Sequence, residues 1–101
     1  MICVIATIKA KTGQRQALLA CIQENLSNVH AEVGCVEYQP MVDTESSIGA
    51  QVLDEDAVVM VEKWETMSDL NAHSVAPHMM DYRGKVKDIV ESVSLKVLTT
   101  A

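Results

Sequence analysis

Ala57-Val58-Val59-Met60-Val61-Glu62-Lys63-Trp64 is the strongest strand signal in this chain, and its apolar residues fall on both parities. A strand sends alternate side chains to opposite faces, so a run of this kind belongs to a sheet covered on both sides. Two helices can cover only one face of a four-stranded antiparallel sheet. The other face then needs a partner surface, which a symmetric copy supplies, so a homodimer is expected.

Upstream, Ile2 to Lys9 is β-branched and aliphatic and leads into Lys11-Thr12-Gly13. Thr12 is the expected N-cap of a long amphipathic helix whose apolar positions are Leu18, Ile22, Leu26, Val29 and Val33, with Gly34 as its stop. Cys35 to Val42 reads as a second strand, and Pro40 assigns it to a sheet edge or a bulge. Residues 43–56 lack strong periodicity and form either a functional flap or a loop hiding a short strand around Ala50 to Leu53.

Downstream, Thr66-Met67-Ser68-Asp69 has the capping pattern that opens a short helix through His73, and Pro77 suits the first turn of the next. Met79, Tyr82, Val86, Ile89 and Val93 continue with helical spacing, and Ser94 to Thr100 alternates as a last strand. Strand, helix, strand, strand, helix, strand is an α+β class chain with the ferredoxin-like βαββαβ order and right-handed crossovers. Residues 1–101 are read as one domain, since at this length only about 60–70% of the unfolded surface can be buried.

Hydrophobic residues make up 49% of the chain, but Phe is absent and Trp64, Tyr38 and Tyr82 are the only aromatics, so the core is aliphatic with Met as filler. Fourteen acidic against eight basic side chains give a net charge of −6, which disfavours nucleic acid and anionic membrane surfaces as partners. Met1-Ile2-Cys3-Val4 lacks the basic stretch of a signal peptide and no apolar run approaches a bilayer span, so a cytoplasmic protein is expected. Cys3, Cys21 and Cys35 have neither disulfide nor zinc spacing and read as reduced, small hydrophobes.

Chemistry concentrates between Glu62 and His78. His73 and His78 are five apart with Pro77 between them, which is not the i, i+4 spacing of a helical metal pair, so no metal is expected. One imidazole beside an apolar cavity suffices for acid–base work, although a His at a helix end also serves as a cap or a surface group. Glu62 either orients a histidine or pairs with a Lys or Arg of the second helix. Trp64 reads first as core and second as a wall for a flat ring. Tyr38, Met41, Met60, Met79 and Met80 individually read as packing, and together also describe a pocket for a planar apolar ligand. His30 reads as a favourable charge at a helix C-terminus.

Gly34-Cys35, Tyr38, Pro40 to Asp43, Val59 to Glu65, Ala72-His73 and Pro77-His78-Met79 together resemble the antibiotic biosynthesis monooxygenase family, and within it the bacterial quinol monooxygenases. The likeness runs from Ile2 to Leu98. It implies a dimeric α+β barrel that oxidises electron-rich phenols or hydroquinones with O₂ and needs neither metal nor flavin. By the same resemblance His73 and His78 are the candidate base and substrate hydrogen-bonding group, unranked, with Glu62 as orienter and Trp64, Tyr38 and Met79 as pocket lining. Haem-degrading relatives carry an Asn on the first strand and a Trp on the short helix; Thr7 and His73 stand at the matching places, so haem breakdown is disfavoured. The rival readings are a non-catalytic dimeric module for a hydrophobic metabolite and an isomerase of the same superfamily.

Overall fold

The computed structural model describes residues 1–101. Its elements are β1 (Ile2–Ala10), α1 (Arg15–His30), β2 (Cys35–Met41), β3 (Ala57–Trp64), α2 (Met67–Ser74), α3 (Pro77–Val86) and β4 (Val90–Leu98). The strands form one antiparallel sheet in the order β2-β3-β1-β4, the ferredoxin-like arrangement expected from the sequence. Pairing fixes which side chains share a face. Val4, Ala6 and Ile8 of β1 stand opposite Glu62, Met60 and Val58 of β3, and opposite Val97, Leu95 and Val93 of β4. This face meets the helices, and its centre is sealed by Leu18, Ile22 and Val29 of α1 together with Trp64 and Met60. The other face carries half-buried Ile5, Val59 and Val61, with Met41 and Leu98 exposed.

Several boundaries differ from the sequence reading. The residue preceding α1 is Gln14 rather than Thr12, and no side chain caps the helix; instead the turn is tied to β3 by the Gly13 N–H, which donates to Asp56 Oδ1 at 3.0 Å. The helix ends at His30 rather than Val33, which is 83% exposed. His30 is more than a terminal charge, because its Nε2–H donates to the Tyr38 carbonyl at 2.9 Å and pins α1 to β2. Gly34 takes φ +78°, and a Cβ there would collide with the Asp69 carboxylate, so the turn and α2 approach to a distance only glycine permits.

β2 is an edge strand, a position that accommodates Pro40 as expected, and its pairing is irregular between Cys35 and Glu37. No strand forms at Ala50 to Leu53. Thr66 caps α2 by accepting the Asp69 N–H at 3.1 Å, and Pro77 opens α3, both as read from the sequence. Helical spacing overran at the end of α3, however. The Ile89 N–H turns back to the Val86 carbonyl, and β4 begins at Val90, opposite Ala10, because pairing with the central strand outweighs weak helical periodicity. No helix is long and apolar enough to cross a membrane.

Candidate active site

A cleft of about 540 Å³ opens between the helix-facing side of the sheet and the α2–α3 pair, and 13 of its 19 lining residues are hydrophobic. Its floor is Val4, Ala6, Ile8 and Met60, with Val93, Leu95 and Val97 continuing it along β4. The helices leave β4 uncovered, so these last three side chains are 58%, 62% and 49% exposed and form the open flank.

Asn71, Ser74, Arg83 and Lys87 line the cleft from the helix side, and three buried polar side chains reach it from different elements. Tyr38 of β2 lies directly opposite Glu62 of β3, and both are buried. The third is His73, in the last turn of α2 and 5% exposed. The cap at Thr66 and the Glu65 N–H, which donates to the Gly34 carbonyl at 2.9 Å, fix the start of that helix and so deliver His73 over the sheet. Its ring lies 4.7 Å from the Trp64 indole and 5.4 Å, edge-on, from Tyr38.

His73 Nδ1 is 2.7 Å from Glu32 Oε2. A carboxylate accepts, so the hydrogen sits on Nδ1, and in the neutral ring the lone pair sits on Nε2, a tautomer assigned from its partner. Nε2 has no protein partner, yet it is not among the sealed-in polar atoms, and the residue lines the cleft. A basic nitrogen thus faces an apolar hollow with a carboxylate fixed behind it.

Burial, the largest influence, raises the Glu62 carboxyl above its ordinary value, against the opposing pull of the Trp64 Nε1–H, which donates to Oε1 at 3.1 Å, and of His73. Burial likewise raises the Tyr38 phenol, helped by the neighbouring Glu62 charge, so Tyr38 presents a hydroxyl rather than a phenolate. Cys35 follows the same rule beside Glu32 and Glu62, and its thiol is held protonated.

Of the residues singled out from the sequence, His73, Glu62, Tyr38, Met60 and Met79 line the cleft. Trp64 does not. It is wholly buried behind His73 and Glu62, a backing rather than a wall, because the imidazole and the carboxylate stand between it and the hollow. His78 also lies outside, on the first turn of the helix that Pro77 opens and beside a separate polar hollow of about 120 Å³. Glu62 spends its hydrogen bond on the indole and forms no ion pair with a basic residue; the carboxylate that holds an imidazole is Glu32. Met41 and Met80 are 49% and 64% exposed and belong to neither core nor pocket. Glu32 was missed because it sits in the irregular turn after α1, 41 residues from His73, and no local spacing signals that contact. None of residues 43–56 lines the cleft of its own chain, and no three His, Cys, Asp or Glu side chains converge as metal ligands.

The sequence profile of the antibiotic biosynthesis monooxygenase family matches residues 1–85. The chain belongs to that family. Among similar proteins, the probable quinol monooxygenase YgiN of Escherichia coli K12 is 38% identical over 100 residues, covering 97% of this chain and 96% of YgiN. The crystal structure of PA3566 from Pseudomonas aeruginosa shares the fold with a TM-score of 0.83 at 23% identity, over 99% of this chain and 93% of that one. Rv0793 from Mycobacterium tuberculosis does so with 0.81 at 25% identity, over 99% and 94%. As a member of the antibiotic biosynthesis monooxygenase family, the chain is an oxidoreductase of the monooxygenase type.

Proposed function

We propose that this monooxygenase oxidises a small hydroquinone or phenol with O₂ inside the apolar cleft, with His73 as the base. The observation that carries the reading is the free Nε2 of a buried imidazole whose Nδ1–H is held by Glu32 at 2.7 Å. The name of the YgiN relative favours a quinol over other phenols. A cleft of about 540 Å³ lies within the roughly 300–1,000 Å³ typical of small-molecule sites and admits one fused ring system with room to spare.

In this reading Nε2 takes a proton from the substrate hydroxyl, and Glu32 stabilises the imidazolium that results. The substrate anion passes one electron to O₂, and the radical pair recombines as a peroxide on a ring carbon. Loss of water from that peroxide leaves a hydroxylated quinone, so one quinol and one O₂ give one hydroxyquinone and one H₂O. Tyr38 is a hydrogen-bond donor for a ring oxygen, while the Val and Met floor excludes water from the reactive anion. Two copies joined through the uncovered sheet face, where Ile5, Val59 and Val61 are half-buried, complete the assembly.

The test is turnover of a naphthohydroquinone under ¹⁸O₂ by chelator-treated protein, with product and water analysed by mass spectrometry. One labelled oxygen in the quinone and one in water is the expected outcome. Unlabelled product, or product formed without O₂, would overturn the proposal.

A further inference from the structure

Glu32 Oε2 serves two imidazoles: it accepts from His73 Nδ1 at 2.7 Å and lies 3.4 Å from His78 Nε2. His78 Nε2 is the only buried side-chain nitrogen or oxygen without a hydrogen-bond partner, and the ion-pair distance to Glu32 is its one contact with an acceptor. Behind His78 the polarity is fixed. Asn28 Nδ2 donates to Asn25 Oδ1 at 3.0 Å, which turns Asn25 Nδ2 toward His78 Nδ1, 3.2 Å away, and toward the Met79 sulfur at 3.5 Å. An amide nitrogen only donates, so His78 Nδ1 accepts, and the ring hydrogen of neutral His78 sits on Nε2, the nitrogen 3.4 Å from Glu32 Oε2.

We propose that Asn25 and His78 are positioning residues for this reaction: by fixing the His78 tautomer they set an N–H beside Glu32 Oε2, which holds that carboxylate in place against His73 Nδ1 and so keeps the His73 lone pair on Nε2. This rests on the reading of His73 as base and extends it to two residues outside the cleft. Every link has one polarity, from the Asn25 amide to His78, from His78 to Glu32, and from His73 to Glu32. The 3.4 Å approach is an ion-pair contact without hydrogen-bond geometry in the resting structure, of the kind that tightens in catalytic sites when substrate binds. The chain also ties α1, through Asn25, to α3, through His78, on the side of the fold away from the substrate. Other ionisable groups around the same hollow are Glu24, Cys21, Asp81, Tyr82 and Lys85; Glu24 and Lys85 pair with each other at 2.8 Å.

Asn25→Asp places an acceptor opposite His78 Nδ1 and so moves the ring hydrogen away from Glu32, with almost no change in volume. His78→Leu removes the donor, whereas His78→Gln returns an amide N–H near the Nε2 position. With a naphthohydroquinone, kcat should fall about tenfold in Asn25→Asp and in His78→Leu at unchanged KM, the loss associated with one hydrogen bond to a charged group, and His78→Gln should recover most of it. Imidazole ¹⁵N NMR of the same proteins reads the tautomer of His73 directly: Nδ1–H in the parent, and a mixture in Asn25→Asp and His78→Leu. A His73 tautomer indifferent to both substitutions, or His78→Leu with the parent's kcat, would overturn the proposal. Variants that show these tautomer shifts beside a parent that consumes no O₂ would instead remove the proposed reaction and leave the positioning chain standing.

Discussion

Replacing Glu32 by Gln keeps the shape of the side chain behind His73 and removes its charge. Glu32 and His73 are 15% and 6% exposed in their side chains, so solvent screens the pair only partly. Two unit charges about 4 Å apart interact by about 4 kcal/mol at an effective dielectric constant near 20. The Gln carbonyl still accepts from Nδ1, so the loss is the difference between a charged and a neutral acceptor, about 2–3 kcal/mol. That energy applies when the imidazole gains its proton, so it should appear in kcat as a fall of about 30- to 150-fold. Glu32 does not line the cleft, and KM should stay where it is. An oxygen electrode with a naphthohydroquinone, corrected for spontaneous oxidation, measures both constants. A Glu32→Gln enzyme within about threefold of the parent in kcat would refute the argument that a fixed carboxylate supports the base.

Other consequences follow from the same geometry. Burial raises the Glu62 carboxyl above 4.5, so the native state holds its proton more tightly than the unfolded chain, and the stability this contributes is full below about pH 4.5 and lost as pH rises through the native value. Glu62→Gln keeps an acceptor for Trp64 and should therefore melt higher than the parent at pH 8, with the margin closing toward pH 4; an equal margin at both would contradict the assignment. Gly34→Ala forces a left-handed backbone on alanine and drives a methyl into Asp69, so the urea midpoint should drop by the equivalent of about 2–3 kcal/mol, and an unchanged midpoint would count against the close approach of the turn to α2. In sedimentation, the half-buried apolar sheet face predicts a species of twice the 11.0 kDa chain mass, while 11.0 kDa at micromolar concentration would exclude the dimer.

The fold was legible because its decisive signals are local. β3 announces itself by its apolar run, Thr66 and Pro77 mark helix starts through their own chemistry, and Pro40 confines β2 to an edge. Helix ends were less so: Val33, Ile89 and Val93 fit a 3.6-residue period, but α1 stops at His30 with Ala31 as its cap, and the pairing of β4 with β1 decided where α3 stopped. The site was legible in part. Strand parity correctly put Glu62 and Trp64 on one face, but parity does not say what stands between a side chain and a hollow, and His73 and Glu62 stand before Trp64. Nor could spacing separate His73 from His78, because what distinguishes them is which one lines the cleft, and the Glu32 carboxylate between them arrives from a distant turn of the chain.

Oxygen uptake by metal-stripped protein mixed with a naphthohydroquinone, run beside His73→Ala, goes most directly to whether the cleft imidazole activates a quinol. Uptake well above the spontaneous rate with the parent, falling to that rate with the variant, is the predicted result. Equal uptake with parent, variant and buffer alone would contradict it.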